Sequence, residues 1–234
     1  MEFFDYIESG HWARLRLSYV DFASVYNIFY YHGSHVIDVY SCHDYFIENI
    51  IADYVFNVIH LTNPSGENCK RGVIRNLKAT RCATVIDWGA GGIDTAVSGI
   101  HADARGYIRN DQEVFDIGGA RNVQICDVYA YGFNDCINLK GEGGVDWDNV
   151  RVSDAHFVDF LGRGVSGSKG GNSDGKSGKL HLNNCTFVSE IETDKQTIYL
   201  TDFVDVIMNN VKVHTNSVGG GVKSEVFKRA AIDG

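Results

Sequence analysis

Apolar residues along this chain come in runs of three to six, with no sustained 3.6-residue period. Runs of that length, set between glycines and polar bends, predict many short strands and tight turns rather than helices. Eight segments repeat one pattern, among them YFIENIIA (45–52), GVIRNLKA (72–79), VRVSDAHF (150–157) and LHLNNCTF (180–187). The apolar anchors are Leu17, Ile47, Ile74, Val97, Ile125, Val152, Leu182 and Met208, spaced 23–30 residues apart. Two positions after each anchor stand Tyr19, Asn49, Asn76, Gly99, Asp127, Asp154, Asn184 and Asn210. All but Tyr19 are types that tolerate a left-handed backbone at low cost, so a sharp bend is expected at one place on every coil.

A second column fixes the register. Four-residue strands lie ahead of most bend motifs: VIDV (36–39), VIHL (58–61), VIDW (85–88), VFDI (114–117), CINL (136–139), GVSG (164–167) and TIYL (197–200). Their second and fourth residues are mostly apolar and their third mostly polar, so alternation puts the third residue outside. Coils this short cannot hold a strand–helix–strand unit, and the spaced leucines of leucine-rich repeats are absent. The fold class is therefore all-β: a single-stranded right-handed parallel β-helix, a solenoid of about eight coils of 23–30 residues. One domain is expected over 1–234, with 217–234 as a tail outside the regular coils.

Segments such as FIENIIADYVFNVIHLTN (46–63) and NVQICDVYAYGFNDCINLKG (122–141) resemble the pectin-lyase-like superfamily of right-handed β-helices. The resemblance covers roughly residues 12–216. It implies a polysaccharide as partner, and either a polysaccharide-degrading enzyme, hydrolase or lyase, or the body of a phage tailspike. Tailspikes are generally trimers, so it also implies a homotrimer. The sequence departs from the family at three places. No amphipathic helix caps the first coil, so either the chain belongs to a longer one or partner segments cover the coil ends. The polygalacturonase-type signature is not reproduced, NSDG (172–175) matching only its first element. The calcium-carboxylate set of the pectate lyases does not map either.

Candidate chemistry follows from stacking the third residues of the second column: Asp38, His60, Asp87, Asp116, Asn138, Ser166 and Tyr199. Neighbouring coils lie about 4.8 Å apart, which sets Asp87 and Asp116 one rung apart, with His60 and Asn138 flanking them. Two residues further on, Gly89 and Gly118 form a floor without side chains, bordered by Thr62 and Lys140. Two carboxyls so close do not both ionise freely, so one pKa is expected to rise. One protonated and one ionised carboxyl are what a glycosidase needs, and a separation near 5 Å favours a retaining mechanism. Asp87 and Asp116 are the candidate catalytic residues; His60, Asn138, Lys140, Trp147 and Tyr199 are the candidate substrate-binding residues. Solvated aspartates on a solenoid face, and a calcium ion between them, are the competing readings.

Charge and composition narrow the partners. The net charge is −9 with no basic stripe, which argues against nucleic acid. No 18-residue apolar stretch is present, and MEFFDYIESGHW (1–12) does not read as a signal peptide. The six cysteines form no CxxC pair and the histidines show no metal spacing, so free thiols and no metal centre are expected. These features fit a protein made in a reducing cytosol and carried out on a virion or cell surface. The reading from another class is a structural or adhesive solenoid that binds sugar or protein without cleaving it.

Overall fold

The computed structural model describes residues 2–3, 13–63, 68–89, 91–107, 112–142, 146–167, 178–201, 205–217, 222–224 and 230–233. Every element among them is a β-strand; no helix is present, and so none long and apolar enough to cross a membrane. Each strand pairs in parallel with its equivalent one coil on, giving a parallel β-solenoid. At the first edge, Glu2–Phe3 lies antiparallel to Ala13–Ser18.

The bend column explains why the chain coils. Val25, Ile47, Ile74, Val97, Ile125, Val152, Leu182 and Met208 stack in register and point inward. Two residues after each, Asn27, Asn49, Asn76, Gly99, Asp127, Asp154, Asn184 and Asn210 hold φ between 49° and 67°. That left-handed residue turns the strand onto a second sheet. The side-chain amides then bond up the column: Asn49 Nδ2 donates to Asn27 Oδ1, and Asn76 Nδ2 to Asn49 Oδ1, both at 3.2 Å. Beyond the glycine and the first aspartate the ladder resumes, Asn184 donating to Asp154 at 3.0 Å and Asn210 to Asn184 at 2.9 Å.

The first coil is registered differently from the sequence expectation. Leu17 pairs with Val39 and so belongs to the second column, while the first rung of the anchor column is Val25 with its bend at Asn27. Tyr19 is itself left-handed, with φ 53°, but its N–H bonds Tyr40 O, which places it at another corner. The count of eight coils began at Leu17 and so does not count one column. At the other end, Val222–Ser224 pairs with Ile198–Leu200 and Ala230–Asp233 with Asp205–Asn209, so the ladder enters the segment expected to be a tail. NSDG (172–175), with most of its loop, lies outside the described residues.

Bulk is balanced within each coil. One inward column runs Ala52, Ala79, Ala102, Ala130, Phe157, Phe187. The coil with Ala79 carries Trp88, the coil with Ala102 carries Phe115, and the coil with Phe157 has Gly167 in the place of Trp88. A coil interior of fixed density accepts one large side chain at the expense of another. Phe157 and Phe187 stack with centroids 5.2 Å apart. All six cysteines are free thiols; five are buried and Cys126 is half-buried.

The ladder yields a stability test. Asn184→Ala removes two amide bonds and places a β-carbon at φ 52° without the compensating side chain. A loss of about 1–2 kcal/mol is expected in urea unfolding, with Asn184→Gly losing less. Equal losses for the two variants would show that the backbone conformation contributes nothing.

Candidate functional site

The second column does not alternate strictly. Val36 and Ile37 are both fully buried, as are Val58 and Ile59, Val85 and Ile86, and Val114 and Phe115. The strand turns a shallow corner there, so the residues on either side of each inward pair share the outer face. His35 joins Asp38, Asn57 joins His60, Thr84 joins Asp87, and Glu113 joins Asp116. Two outward columns result. One runs Asp38, His60, Asp87, Asp116, Asn138, Ser166, Tyr199, in the order read from the sequence. The other runs His35, Asn57, Thr84, Glu113, Asp135 and has no counterpart in the sequence reading.

Asp87 and Asp116 sit on adjacent rungs with side chains 21% and 14% exposed, so both are open to solvent but largely desolvated. Their partners differ. Asp116 receives Lys140 Nζ at 2.8 Å on Oδ2 and Asn138 Nδ2 at 3.2 Å on Oδ1. Asp87 receives the neutral amide of Asn57 at 2.9 Å, and His60 Nε2 stands 3.8 Å away. Burial pushes the Asp87 carboxyl up to about 6; the charges of Asp116 and Glu142 add to this, and His60 and Lys140 oppose it. Burial also raises Asp116, against the pull of Lys140. The rise expected for the pair is present, but desolvation is its main cause rather than carboxylate repulsion. Lys140 is held well above its usual range: burial works against its charge, but the bond to Asp116 and the charges of Asp116, Glu142 and Asp87 outweigh it.

The glycine floor is narrower than the sequence suggested. A β-carbon on Gly89 would come 3.0 Å from His60 Nε2, so the imidazole lies over that position. At Gly118 it would meet the carboxylate of Glu142 and the carbonyl of Trp88. Glu142, which the sequence reading does not single out, therefore joins the site, with its Oε2 3.4 Å from Lys140 Nζ.

Two rungs below Asp87 a buried ionic cluster is centred on Asp38. Asp38 is 1% exposed. Its Oδ1 faces His35 Nδ1 at 2.8 Å and His60 Nδ1 at 3.3 Å; its Oδ2 faces Tyr40 OH at 3.4 Å and Arg16 Nη2 at 3.5 Å. Burial alone would raise the Asp38 carboxyl, but the two imidazoles hold it far below the usual range. Burial would lower His60, but Asp38, Asp87 and Glu142 raise it.

The column thus brings together Asp87, Asp116, His60, Asn138 and Lys140. Tyr199 stands three rungs beyond Asp116, roughly 14 Å along the ladder, with the Arg163 guanidinium 4.7 Å from its ring centre. Trp147 is not at the site. It is 4% exposed and part of the core, and a β-carbon on Gly178 would press on its ring, so neither face is free to stack on a sugar. A second concavity, a groove of about 540 Å³, runs beside the bend column on another face. It is lined by Asn27, Asn49, Asn76, Phe29, Lys78 and His101 among others, and none of its lining residues is a carboxylate. Beyond it, His101, Tyr129 and His156 stack at 5.4–5.5 Å.

Comparison of the chain with protein-family models, with curated proteins and with solved structures finds no match. What the chain shares with the pectin-lyase-like superfamily is the parallel β-solenoid architecture, and function has to be argued from the site.

The raised Asp87 pKa has a consequence for stability. A carboxyl whose folded pKa exceeds its unfolded value binds more protons when folded, so stability falls as pH rises through the window from about 4 to about 6. Asp87→Asn removes the desolvated charge and keeps an acceptor for Asn57. In chelator, the variant is expected to melt several degrees above the parent at pH 7.5, the difference closing below pH 4. A variant less stable at pH 7.5 would show that Asp87 serves folding.

Proposed function

We propose that this solenoid recognises a polysaccharide along its outer column and hydrolyses it at Asp87 and Asp116. The observation that carries the reading is the unequal treatment of two adjacent, half-buried carboxylates. A lysine and an amide hold Asp116, which favours its ionised form. Among the described residues Asp87 has a neutral amide as its only close donor, which favours a proton. Such a division of roles is what glycoside hydrolysis requires.

In this reading Asp87 donates its proton to the leaving glycosidic oxygen while Asp116 attacks the anomeric carbon. Asp87, now ionised, takes a proton from the water that releases the sugar from Asp116. A rung spacing of about 4.8 Å suits this retaining course better than an inverting one, which needs room for a water between the carboxyls. Lys140, anchored on Asp116 and close to Glu142, orients the nucleophile. His60 and Asn138 border the sugar subsites, and Tyr199 is placed to meet the chain further along. The concentration of carboxylates favours an uncharged glycan over a polyuronate.

A non-catalytic reading rests on the second groove, whose amides, aromatic rings and lysine can hold a glycan with no group able to cleave it. A screen of purified protein against neutral and acidic polysaccharides separates the two. Hydrolysis is expected to release reducing ends without unsaturated products, and Asp87→Asn and Asp116→Asn are each expected to lower the rate at least 100-fold. Binding without cleavage, unchanged in both variants, would assign the protein to the binding class. Unsaturated products would indicate a lyase.

A further inference from the structure

Three features outside the carboxylate pair invite a function. The aromatic residues of the first coil, such as Phe22 and Phe29, are exposed, but nothing in the structure shows what covers them. The groove beside the bend column belongs to the binding reading above. The cluster of His35, Asp38 and His60 goes further.

Three donor atoms, one from each of these residues, lie within 4.8 Å of one another. Tetrahedral zinc, with bonds of about 2.0–2.1 Å, sets its donors roughly 3.3–3.4 Å apart. His60 Nδ1 and Asp38 Oδ1 are already 3.3 Å apart; the 2.8 Å contact of His35 has to open by about half an ångström, and the two imidazole nitrogens, within 4.8 Å of each other, have to close by up to about 1.4 Å. Without a metal, both imidazoles crowd one carboxylate oxygen; a cation replaces the Nδ1 protons that make those contacts. The outer groups are also those of a metal centre. Arg16 and Tyr40 hold the other oxygen of Asp38 and leave Oδ1 to the imidazoles. The far nitrogen of His60 faces the Asp87 carboxylate, the kind of partner that fixes a ligating imidazole. Asn57, next to His35 in the ladder, has its Nδ2 on Asp87, while its Oδ1 is buried with no donor among the described residues. A metal-bound water is a donor that can satisfy it.

We infer that His35, Asp38 and His60 form a site for a divalent transition-metal ion of the zinc type, with a coordination position left for water or a ligand oxygen. Two imidazoles and one carboxylate select such an ion over calcium or magnesium, which prefer oxygen ligands. The three residues come from two successive coils, so binding also ties those coils together. The inference does not depend on glycan hydrolysis.

The test is titration of the full, tag-free chain, stripped with chelator, with Zn²⁺ alone by calorimetry and with Co²⁺ by visible absorbance. One equivalent per chain and a low-symmetry cobalt spectrum are expected. His35→Ala and His60→Ala should each weaken Zn²⁺ at least 100-fold; His101→Ala, on another face, should leave it unchanged. Asp87→Asn should weaken it about 10- to 100-fold through its effect on His60. Circular dichroism checks that each variant is folded. His60, which is less deeply buried than His35, carries the test if His35→Ala does not fold. Absence of Zn²⁺ binding by the folded parent, or equal binding by His60→Ala, overturns the inference.

Discussion

The rest of the structure depends on in-register stacking: each residue lies one strand spacing from its equivalent on the next coil. The bend column enforces this. A left-handed residue two positions after each anchor turns the strand at the same height on every coil, and the asparagine amides bond directly upward. Once that register is set, the content of each column is a matter of which residues can tolerate their neighbours above and below. Inside, isoleucine stacks on isoleucine, and bulk gained at Trp88 is given up at Ala79. Outside, carboxylates, imidazoles and amides become neighbours over long separations in sequence.

The outer column has a cost that the inner ones lack. Placing Asp38, Asp87 and Asp116 in one partly dry column opposes the charged form of each. The protein answers differently at each rung. Asp38 receives two imidazoles, Asp116 a lysine and an amide, and Asp87 an amide with an imidazole further off. Those unequal answers leave the carboxyls of one sheet face unequally disposed to protonation across four rungs, and the carboxyl left least compensated lies between the Asp116–Lys140 ion pair on one side and a histidine cluster on the other.

Much of this was legible because the periodicity is strong. The order Asp38, His60, Asp87, Asp116, Asn138, Ser166, Tyr199 follows from alternation in short strands whose anchors recur at nearly constant spacing. The errors have physical causes. Leu17 fits the anchor pattern because LRLS alternates like the true anchors and Tyr19 does occupy a left-handed corner, only a different one. His35 does not emerge from the sequence because Val36 and Ile37 both turn inward, which strict alternation forbids. Trp147 reads as a substrate-binding residue because neither the core nor Gly178 beneath its ring is apparent from its local sequence. Glu142 lies outside the short strands whose alternation orders the columns, so its place beside Lys140 is not apparent from the sequence.

The arrangement also fixes which length changes the protein can absorb. His35 and Asp38 stand on one coil, His60 on the next, and Asp87, Asp116 and Asn138 on the three after it. Gain or loss of one entire coil would leave every column apolar inside, polar outside and bent at the same height, so the solenoid would still close on itself. Yet a coil inserted anywhere among these five would part groups that now touch. The architecture is therefore modular along its axis while its chemistry is not: five consecutive coils form one indivisible word in a text whose other lines can be repeated or struck out.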